Sequence, residues 1–591
     1  MTRIFADPQD FVDDALEGFA LVHASEVTRV DGGIVRARPL EHGQVAVVIG
    51  GGSGHYPAFA GYVGSGMAAG AVCGNVFTSP SAAQAVRVAE AAEAGGGVLF
   101  AYGKYAGDVL HFGEAERRLV EGGREARTVH ITDDVASALP EDADERRGIA
   151  GVVCVIHVAG AAAERGDDLS EVERLARLAN SRTRSHGVAF AGCTLPGAAH
   201  PLFEVPDGMM SIGLGIHGEP GVRDVPLQQA PELARTLLEP LLRERPEGAR
   251  RAALLVNGLG TVKNEELFVL FRFVVAELER IGVEVVGPEC GELVTSLDMA
   301  GVSLTVMWLD DELEELWRAP ISTPALRRGS FAVDAGSPDA RVATAPPRSG
   351  GTAQSRPASA ALPVSTQSRA AASTAQRLLR LAHAAVAEHV DVLGDLDAVA
   401  GDGDHGVGML RGLAAAVAAA EAHSADEGVC SLLARAGEQW SEVAGGTSGA
   451  LWGAALIELG IALGDDGPYT GAIVAAAVSA ARSRVQAVGG AVVGDKTMLD
   501  AIVPFEDRFA AGLDRGEDVT SALRGAVAVA RTASEQTAAL SPRRGRARPL
   551  AERSVGHADP GATSFVLIVD SLVRDADLGE AGTPAESEVA T

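Results

Sequence analysis

The chain has 591 residues, 79 of them acidic and 50 basic, so its formal net charge is −29. This surplus of acid argues against nucleic acid and anionic membrane surfaces as partners, because both require clustered Lys and Arg. Hydrophobic residues make up 47% of the chain, which is enough for several buried cores. The composition therefore excludes a disordered chain and predicts about three to five domains.

The cysteines, the first residues and the apolar runs indicate the cellular compartment of the protein. The five cysteines are dispersed without a C-x-x-C pair, so neither a disulfide framework nor a zinc site is expected. The first residues carry acids where a signal peptide needs basic and then apolar residues. Two Ala-rich runs, around Gly471–Ala481 and Ala414–Ala420, are too short to cross a bilayer. We expect a cytoplasmic protein.

A change of composition divides the chain. Between Phe331 and Thr374 the sequence becomes rich in Pro, Ala and Ser and loses apolar periodicity, which is typical of a flexible linker. The predicted segments are an α/β domain at 1–185, a second at 186–332, the linker at 333–373, an all-helical domain at 374–575 and a disordered tail at 576–591.

The first half alternates short apolar runs with helical stretches, which indicates α/β layering. Strands are predicted at Gln44–Ile49, Gly97–Tyr102, Thr128–Ile131, Val152–Val158, Ala252–Val256, Val283–Val286 and Val302–Trp308, with a helix at about Glu265–Ile281. These elements predict two α/β domains.

The second half consists of long Ala-rich segments that favour helices. They are Thr374–His389, Met409–Ala422, Val429–Glu442, Gly449–Leu463, Thr470–Val485, Lys496–Ala510 and Val519–Ser534. We therefore predict an all-α domain.

Three glycine-flanked motifs in the first half carry polar side chains. The run Gly50–Pro57 follows an apolar strand and contains His55; a glycine-rich loop lets backbone N–H groups approach a small oxygenated ligand. The run Gly103–Asp108 puts Asp108 at the carboxyl end of a strand, where ligands bind in open α/β sheets. His217 stands between glycines, which frees its imidazole to meet a substrate.

The second half carries an acidic turn and two glycine-rich loops. Asp397, Asp402 and Asp404 crowd into one turn, where carboxylates repel each other unless a cation or several donors hold them. Oxygen ligands of this kind suit Mg²⁺ that carries phosphates. Gly445–Gly449 and Gly556–Ala562 supply hydroxyl and N–H groups, which bind phosphate readily at helix N-termini.

These segments, in order, resemble the dihydroxyacetone kinase family in its single-chain, ATP-dependent form. The matching segments are GGGSGHYPAF, GDVLHF, GLGIHGEPG, DGDHG, GGTSG, GDKTMLDAI and LAERSVGHADPGATS. The resemblance covers roughly residues 1–330 and 375–575. It implies two α/β domains that bind a ketose, a linker, an all-α helical barrel that binds nucleotide, and a homodimer.

The resemblance also implies roles for the first set of motifs. A ring nitrogen of His217 attacks the substrate carbonyl and forms a covalent hemiaminal, which selects short ketoses. His55 and Asp108 serve as acid and base, with Asp108 close to the hydroxyl that attacks the γ-phosphate. The implied substrate contacts are Gly52, Ser53, Gly54, His55, Lys104 and Asp108.

For the helical domain the resemblance implies that Asp397, Asp402 and Asp404 hold two Mg²⁺ ions, which bridge the phosphates of ATP. The implied nucleotide contacts are His405, Gly406, Val407, Thr447, Ser448, Thr497, Met498, Arg553, Asp559, Pro560 and Gly561.

One departure from the family pattern concerns the substrate. Gly103 stands where the family often has Lys, and Lys104 falls at the position of an Asn. A missing long side chain predicts a larger pocket. Dihydroxyacetone and the four-carbon ketose erythrulose are then nearly equal candidates, with a slight preference for a substrate range that includes erythrulose.

Three other functions are compatible with the motifs. In the first, the phosphate donor is a phosphohistidine carrier protein. In the second, the metal site cyclises FAD to a cyclic FMN. In the third, the chain is a ketose-sensing regulator without turnover. Fusion of both halves in one chain favours free ATP as the donor. The acidic cluster argues against a pure sensor, which has no need for a metal site in a second domain.

Overall fold

A computed structural model describes residues 2–219, 221–330, 364–401, 403–424, 427–544 and 551–580. The chain divides into two compact units, Met1–Pro346 and Pro347–Thr591. Most of the predicted linker and residues 581–591 of the predicted tail lie outside the described residues. The second unit's first helix begins at Thr366, earlier than the predicted start at residue 374.

The first unit begins with a six-stranded sheet in the order β1-β2-β4-β3-β5-β6. Its strands are β1 Val27–Val30, β2 Gly33–Arg36, β3 Ala46–Ser53, β4 Gly70–Val76, β5 Val98–Gly103 and β6 Ala126–Ile131. The helices of this part are α1 Phe11–Val22, α2 Ala82–Ala92, α3 Ala106–Glu121, α4 Val152–Arg165 and α5 Leu169–Arg182. The last four strands in that order run parallel.

Both faces of β3 are buried, which explains its continuous apolar run. Ala46 and Val48 face a core that includes residues of α2 and α3. Val47 and Ile49 face a second core, which includes residues of α4 and α5. The central strand therefore lies between two helical layers, and its carboxyl end emerges at one edge of the sheet.

A second sheet, of seven strands, completes the first unit in the order β11-β10-β13-β7-β8-β9, with β12 also paired to β10. The strands are β7 Thr183–Ala191, β8 Met209–Ile212, β9 Arg223–Pro226, β10 Arg251–Gly258, β11 Glu284–Val285, β12 Glu289–Gly291 and β13 Ala300–Leu309. The helices are α6 Ala230–Arg243, α7 Asn264–Arg280 and α8 Asp311–Trp317, followed by a hairpin of β14 Ile321–Ser322 and β15 Arg327–Arg328. The strand β7 crosses the predicted domain boundary at residue 186.

The strand predicted at Val152–Val158 is wrong, because this run forms the first half of α4. Every residue from Val152 to Ala163 is buried. A helix that is buried on all sides has no polar face, so its sequence lacks helical periodicity and resembles a buried strand. The other predicted strands correspond to β3, β5, β6, β10, β11 and β13.

The second unit is helical, as predicted, and its described core is one cluster. Its helices are α9 Thr366–Ala387, α10 Val390–Ala398, α11 His405–Glu421, α12 Val429–Ala444, α13 Gly446–Leu463, α14 Gly471–Gly489, α15 Leu499–Asp514, α16 Val519–Gln536, α17 Ala551–Ser554 and α18 Pro560–Glu580. The sequence did not predict α10, α17 or α18.

Among the described residues, α13 is the one helix long and apolar enough to cross a membrane. It packs against α12 and α14. A Cβ at Gly437 or at Gly453 would lie 2.6 Å from the other residue's carbonyl oxygen. Glycine at these two positions therefore permits close packing of α13 against α12.

Candidate active site

His55 lies buried just beyond β3. Contrary to the predicted loop, the run Gly50–Gly52 belongs to β3. A Cβ on Gly52 would lie 2.7 Å from the backbone nitrogen of Thr78, so glycine permits this close backbone approach. Gly54, at a φ of +102°, then turns the chain toward His55. Gly52 therefore permits close backbone packing and Gly54 permits the turn, and together they set the position of the His55 imidazole.

The His55 imidazole is neutral at physiological pH. Its Nδ1 donates to the carbonyl oxygen of Thr295 at 2.8 Å, since a carbonyl can only accept. Burial, and secondarily the neighbouring His217, lower the pKa of His55 to about 3. The lone pair of His55 is therefore on Nε2.

His217 comes from the loop after β8 and meets His55 directly. The two Nε2 atoms are 2.9 Å apart. His217 Nδ1 is 3.0 Å from Glu219 Oε1, and the backbone N–H of His217 donates to Glu219 Oε2 at 3.0 Å. The rings of Phe77 and Tyr105 pack edge-on against His217, at centroid distances of 5.1 and 4.7 Å. The pair is thus enclosed by aromatic side chains.

The segment 294–297 joins the two histidine loops. Leu297 N–H donates to the Gly54 carbonyl at 2.8 Å, and Ser296 Oγ donates to the Ile216 carbonyl at 2.5 Å. Thr295 Oγ1 donates to the Tyr56 carbonyl at 2.8 Å. Sequence reasoning missed this segment because no motif distinguishes it; its role appears only when the two sheets are brought together.

The other predicted substrate residues lie around the carboxyl ends of β3 and β5. Asp108 is buried in the first turn of α3, directly after β5. Ser53 ends β3 and donates its hydroxyl to the Gly74 carbonyl at 2.7 Å. Lys104 Nζ donates to the Asp144 carbonyl at 2.6 Å and to Glu145 Oε1 at 2.9 Å. Substrate contact by these residues, and by Gly52 and Gly54, stays a prediction.

The space beside Gly103 is filled. A Cβ at this position would lie 3.1 Å from the Gly148 carbonyl oxygen and 3.1 Å from a ring carbon of Tyr105. The Tyr105 hydroxyl in turn donates to the Gly148 carbonyl at 3.0 Å. The position of a Cβ at residue 103 is therefore occupied, and the larger pocket expected from the missing lysine stays a prediction.

In the helical unit, acidic side chains gather at the turn between α10 and α11. Asp397 Oδ2 accepts the N–H of Gly403 at 2.9 Å. Burial, with the neighbouring Asp397 as a second cause, raises the pKa of Asp404 to about 7. Burial likewise raises the pKa of Asp559 to about 7, with Asp500 and Asp397 adding to it. At Asp559 the nearby ammonium group of Lys496 acts in the opposite direction, but burial outweighs it.

Asp402, the third predicted metal ligand, lies outside the described residues. Within the described ranges no group of three His, Cys, Asp or Glu side chains is placed to hold a metal ion. The metal set Asp397, Asp402 and Asp404 stays a prediction.

His405 connects the N-termini of three helices. It begins α11, and its Nε2 is 3.0 Å from Ser564 Oγ in α18. Its Nδ1 is 3.2 Å from Ser448 Oγ in the first turn of α13. A Cβ on Gly561 would lie 3.4 Å from the Cβ of Met498, which brings the start of α15 to the same place. Helix N-termini that converge in this way favour an anion.

Except for Arg553, the remaining predicted nucleotide residues lie at these helix starts. Gly406 and Val407 are in α11, Thr447 in α13, Pro560 begins α18, Thr497 precedes α15, and Arg553 is exposed in α17. A Cβ on Gly406 would lie 2.0 Å from the Val390 carbonyl oxygen, so this glycine serves packing against α10. Nucleotide contact by all of them stays a prediction.

Two residues that the sequence analysis did not name support this region. Asp500 accepts the N–H of Gly494 at 2.5 Å and that of Thr497 at 2.7 Å. Lys496 Nζ donates to the carbonyls of Leu540 at 3.1 Å and Ser554 at 2.6 Å. Both belong to the matched segment GDKTMLDAI, so the motif itself was the available signal.

The chain matches the Dak1 domain over residues 17–325 and the DAK2 domain over residues 399–574. It is 48% identical to the L-erythrulose kinase of Pectobacterium atrosepticum, over 100% of both chains. It is 50% identical to the D-erythrulose kinase of Mycolicibacterium smegmatis, over 98% of this chain and 100% of the relative.

A solved structure is similar over the same length. The crystal structure of the dihydroxyacetone kinase from C. freundii in complex with AMP-PNP and Mg²⁺ matches with a TM-score of 0.51 and 28% identity, covering 97% of this chain and 99% of that chain. The two domain matches, the full-length relatives and the shared fold point to the same family as the histidine pair and the acidic turn. The chain belongs to the dihydroxyacetone kinase family and is a phosphotransferase that acts on an alcohol group.

Proposed function

We propose that this protein is an ATP-dependent kinase that phosphorylates a terminal hydroxyl of erythrulose, held as a covalent hemiaminal on His217. The observation that carries the proposal is the buried histidine pair, whose Nε2 atoms are 2.9 Å apart. The erythrulose kinases that resemble the chain over its full length support the four-carbon ketose over dihydroxyacetone.

The surroundings of His217 suit attack on a carbonyl. A neutral imidazole with a lone pair on Nε2 is a nucleophile, and the second imidazole beside it accepts or supplies a proton. A covalent bond to the carbonyl carbon selects ketoses over polyols, which have no carbonyl. It also holds the terminal hydroxyl in one position for the transfer. Asp108, buried at the end of β5, is the proposed base for that hydroxyl.

The helical unit is the proposed site of ATP and Mg²⁺. Burial raises the pKa values of Asp404 and Asp559, and neighbouring carboxylates add to the effect. This donor set fits a divalent cation with oxygen ligands. Bound Mg²⁺ would neutralise phosphate charge. Asp397, Asp402 and Asp404 would hold two ions, and the starts of α11, α13 and α18 would receive the phosphates.

A substrate panel tests the proposal. Purified protein with Mg·ATP should phosphorylate D- or L-erythrulose with a higher kcat/KM than dihydroxyacetone or glyceraldehyde. His217→Ala should abolish ketose turnover and the ketose-sized mass increase on the chain. Exposed His200, replaced by Ala, is the matched control. Normal ketose affinity and turnover in His217→Ala would contradict the proposal, and absent turnover with Mg·ATP would favour a phosphocarrier as donor.

Assembly and location complete the proposed function. We expect a cytoplasmic protein, and the family resemblance implies a homodimer. Light scattering on the purified chain checks the dimer.

A further inference from the structure

Glu219 holds His217 at two points. Its Oε1 is 3.0 Å from the imidazole Nδ1, and its Oε2 accepts the backbone N–H of the same residue at 3.0 Å. The side chain of Glu219 is 12% exposed. A Cβ on Gly215 would lie 2.0 Å from Glu219 Oε2, so only glycine at this position leaves room for the carboxylate. The turn that contains His217 therefore accommodates the Glu219 carboxylate because residue 215 has no side chain.

The carboxyl group of Glu219 is ionised. Arg147 Nη1 lies 3.6 Å from Glu219 Oε2, and the same guanidinium pairs with Asp134 at 2.8 Å. Burial opposes the charge of Glu219, but His217 and Arg147 together outweigh it and hold the pKa of this carboxyl well below its usual range. An ionised carboxylate only accepts hydrogen bonds. His217 Nδ1 must therefore carry the proton.

The same reasoning applies to the other ring of the pair. The Thr295 carbonyl only accepts, so His55 Nδ1 also carries a proton. Both Nε2 atoms then point at each other at 2.9 Å. Two lone pairs at this distance would repel, so before substrate binds one additional proton lies between the rings, and His217 Nε2 donates it to the lone pair of the neutral His55. The negative charge of Glu219 balances the positive charge of that proton.

We propose that Glu219 is a positioning residue that fixes the Nδ1–H tautomer of His217 and so directs the Nε2 lone pair at the ketose carbonyl. This inference rests on the proposed hemiaminal. When the Nε2–C bond forms, the π pair of the C=O bond moves to oxygen. The shared proton passes from His217 Nε2 to His55 Nε2 as the nucleophile is freed, and the oxygen takes it from His55 and becomes the hemiaminal hydroxyl. His55 is then neutral, and Glu219 balances the imidazolium formed at His217.

The test compares Glu219→Gln with the unaltered full-length chain. The amide keeps the shape but has no charge, and its NH₂ group can face Nδ1 and force the proton onto Nε2. We expect kcat/KM for erythrulose to fall about 100-fold or more, as for other histidines held in the wrong tautomer. The inhibition constant of glycerol, which has no carbonyl, should change less than about twofold, since its binding needs no nucleophile. Glu219→Asp, which keeps the charge, should recover part of the loss.

The control is Glu204→Gln, at an exposed glutamate of the same subdomain, which should behave like the unaltered chain. An unchanged kcat/KM in Glu219→Gln, or a parallel rise in the inhibition constant of glycerol, would overturn the inference. A separate measurement needs no variant at 219: in ¹⁵N-histidine NMR spectra, the His217 signals, identified by their loss in His217→Ala, should show a protonated Nδ1. An unprotonated Nδ1 would overturn the inference even if Glu219→Gln does not fold. Failure of the proposed function looks different, because the unaltered chain itself would then not turn over ketose.

Discussion

His55 and His217 show how the site depends on atoms that sequence motifs do not describe. Each imidazole is oriented by one acceptor at its Nδ1, the Thr295 carbonyl for His55 and the Glu219 carboxylate for His217. The aromatic rings of Phe77 and Tyr105 close the space around them. Because Tyr105 also fills the space beside Gly103, the size of residue 103 should affect the nucleophile through the tyrosine ring.

Gly103→Ala is expected to lower kcat/KM for erythrulose about tenfold, because small displacements near reacting atoms are costly. The new Cβ would lie 3.1 Å from both the Gly148 carbonyl oxygen and the Tyr105 ring, so the ring that contacts His217 must shift. Steady-state kinetics on the purified variant measure the effect. Gly113→Ala is the control: a Cβ there has nothing within 4 Å, and it should stabilise α3 by roughly 0.5–1 kcal/mol without changing the kinetics. Equal kinetics for both variants would contradict the role of Tyr105.

Asp397→Asn should raise the Mg²⁺ concentration needed for half-maximal activity about tenfold. The substitution removes a charge that acts on both Asp404 and Asp559, and divalent cations bind through carboxylate charge. Activity measured across a Mg²⁺ titration at saturating ATP gives the result. Asp391, exposed in the first turn of the same helix, supplies the control Asp391→Asn, and a shift of the same size in both variants would refute a specific role.

Among the elements, α4 has the most unusual sequence. Its buried His157 donates from Nδ1 to the Gly66 carbonyl at 2.9 Å and accepts at Nε2 from Arg328 at 2.8 Å. Through these contacts α4 anchors the loop before β4 and the hairpin strand β15. Burial first, and Arg328 second, lower the pKa of His157 from 6.5 to about 4. The helix therefore carries a neutral imidazole that acid would charge.

The stability of the first unit should consequently fall on acidification. His157 is protonated below about pH 6.5 in the unfolded chain but only below about pH 4 in the folded chain. The free energy of unfolding therefore decreases as the pH falls from about 6.5 to about 4. Between pH 7.5 and 5.5 the loss from one histidine is about 1 kcal/mol. The variant His157→Gln keeps an acceptor for Arg328 but has no imidazole to protonate. Its free energy of unfolding should fall by about 1 kcal/mol less over this pH range than that of the unaltered chain. Hydrogen exchange of the α4 amides at the two pH values measures the difference, and an identical pH dependence in both proteins would exclude His157.

The chain as a whole consists of two units with separate cores. The described core clusters of the first unit run from Val27 to Ile321, and that of the second from Ala372 to Val569. The proposed ketose chemistry lies in the first unit and the proposed nucleotide chemistry in the second. We therefore expect each unit to bury enough apolar surface to fold without the other.

Separating the units should preserve folding and binding while abolishing turnover. A fragment of residues 1–330 should bind erythrulose with an affinity within about threefold of the full chain, because the groups proposed to bind the ketose all lie within it. The same fragment should transfer no phosphate from ATP. Calorimetry and a coupled assay check the two results, with the His217→Ala fragment as the control for ketose binding. A fragment that is unfolded, or that binds no ketose, would contradict independent units.

Much of this architecture followed from local pattern. Periodic apolar runs predicted most strands and helices, and the motifs predicted that His55 and His217 matter, because spacing along the chain is visible in the sequence. The run Val152–Val158 was misread because complete burial removes periodicity, and α18 was missed although Pro560 begins it.

Tertiary structure decided which groups act on one another. The contacts of Thr295, Ser296 and Glu219 with the histidine loops depend on hydrogen-bond geometry within about 3 Å, which spacing does not encode. The approach of Gly148 to Gly103 and the charge coupling of Asp397 with Asp559 likewise arise between residues distant in the chain. Residue types and their order thus determined the family and the chemistry available, whereas the fold determined protonation and orientation, because both depend on distances that only packing sets.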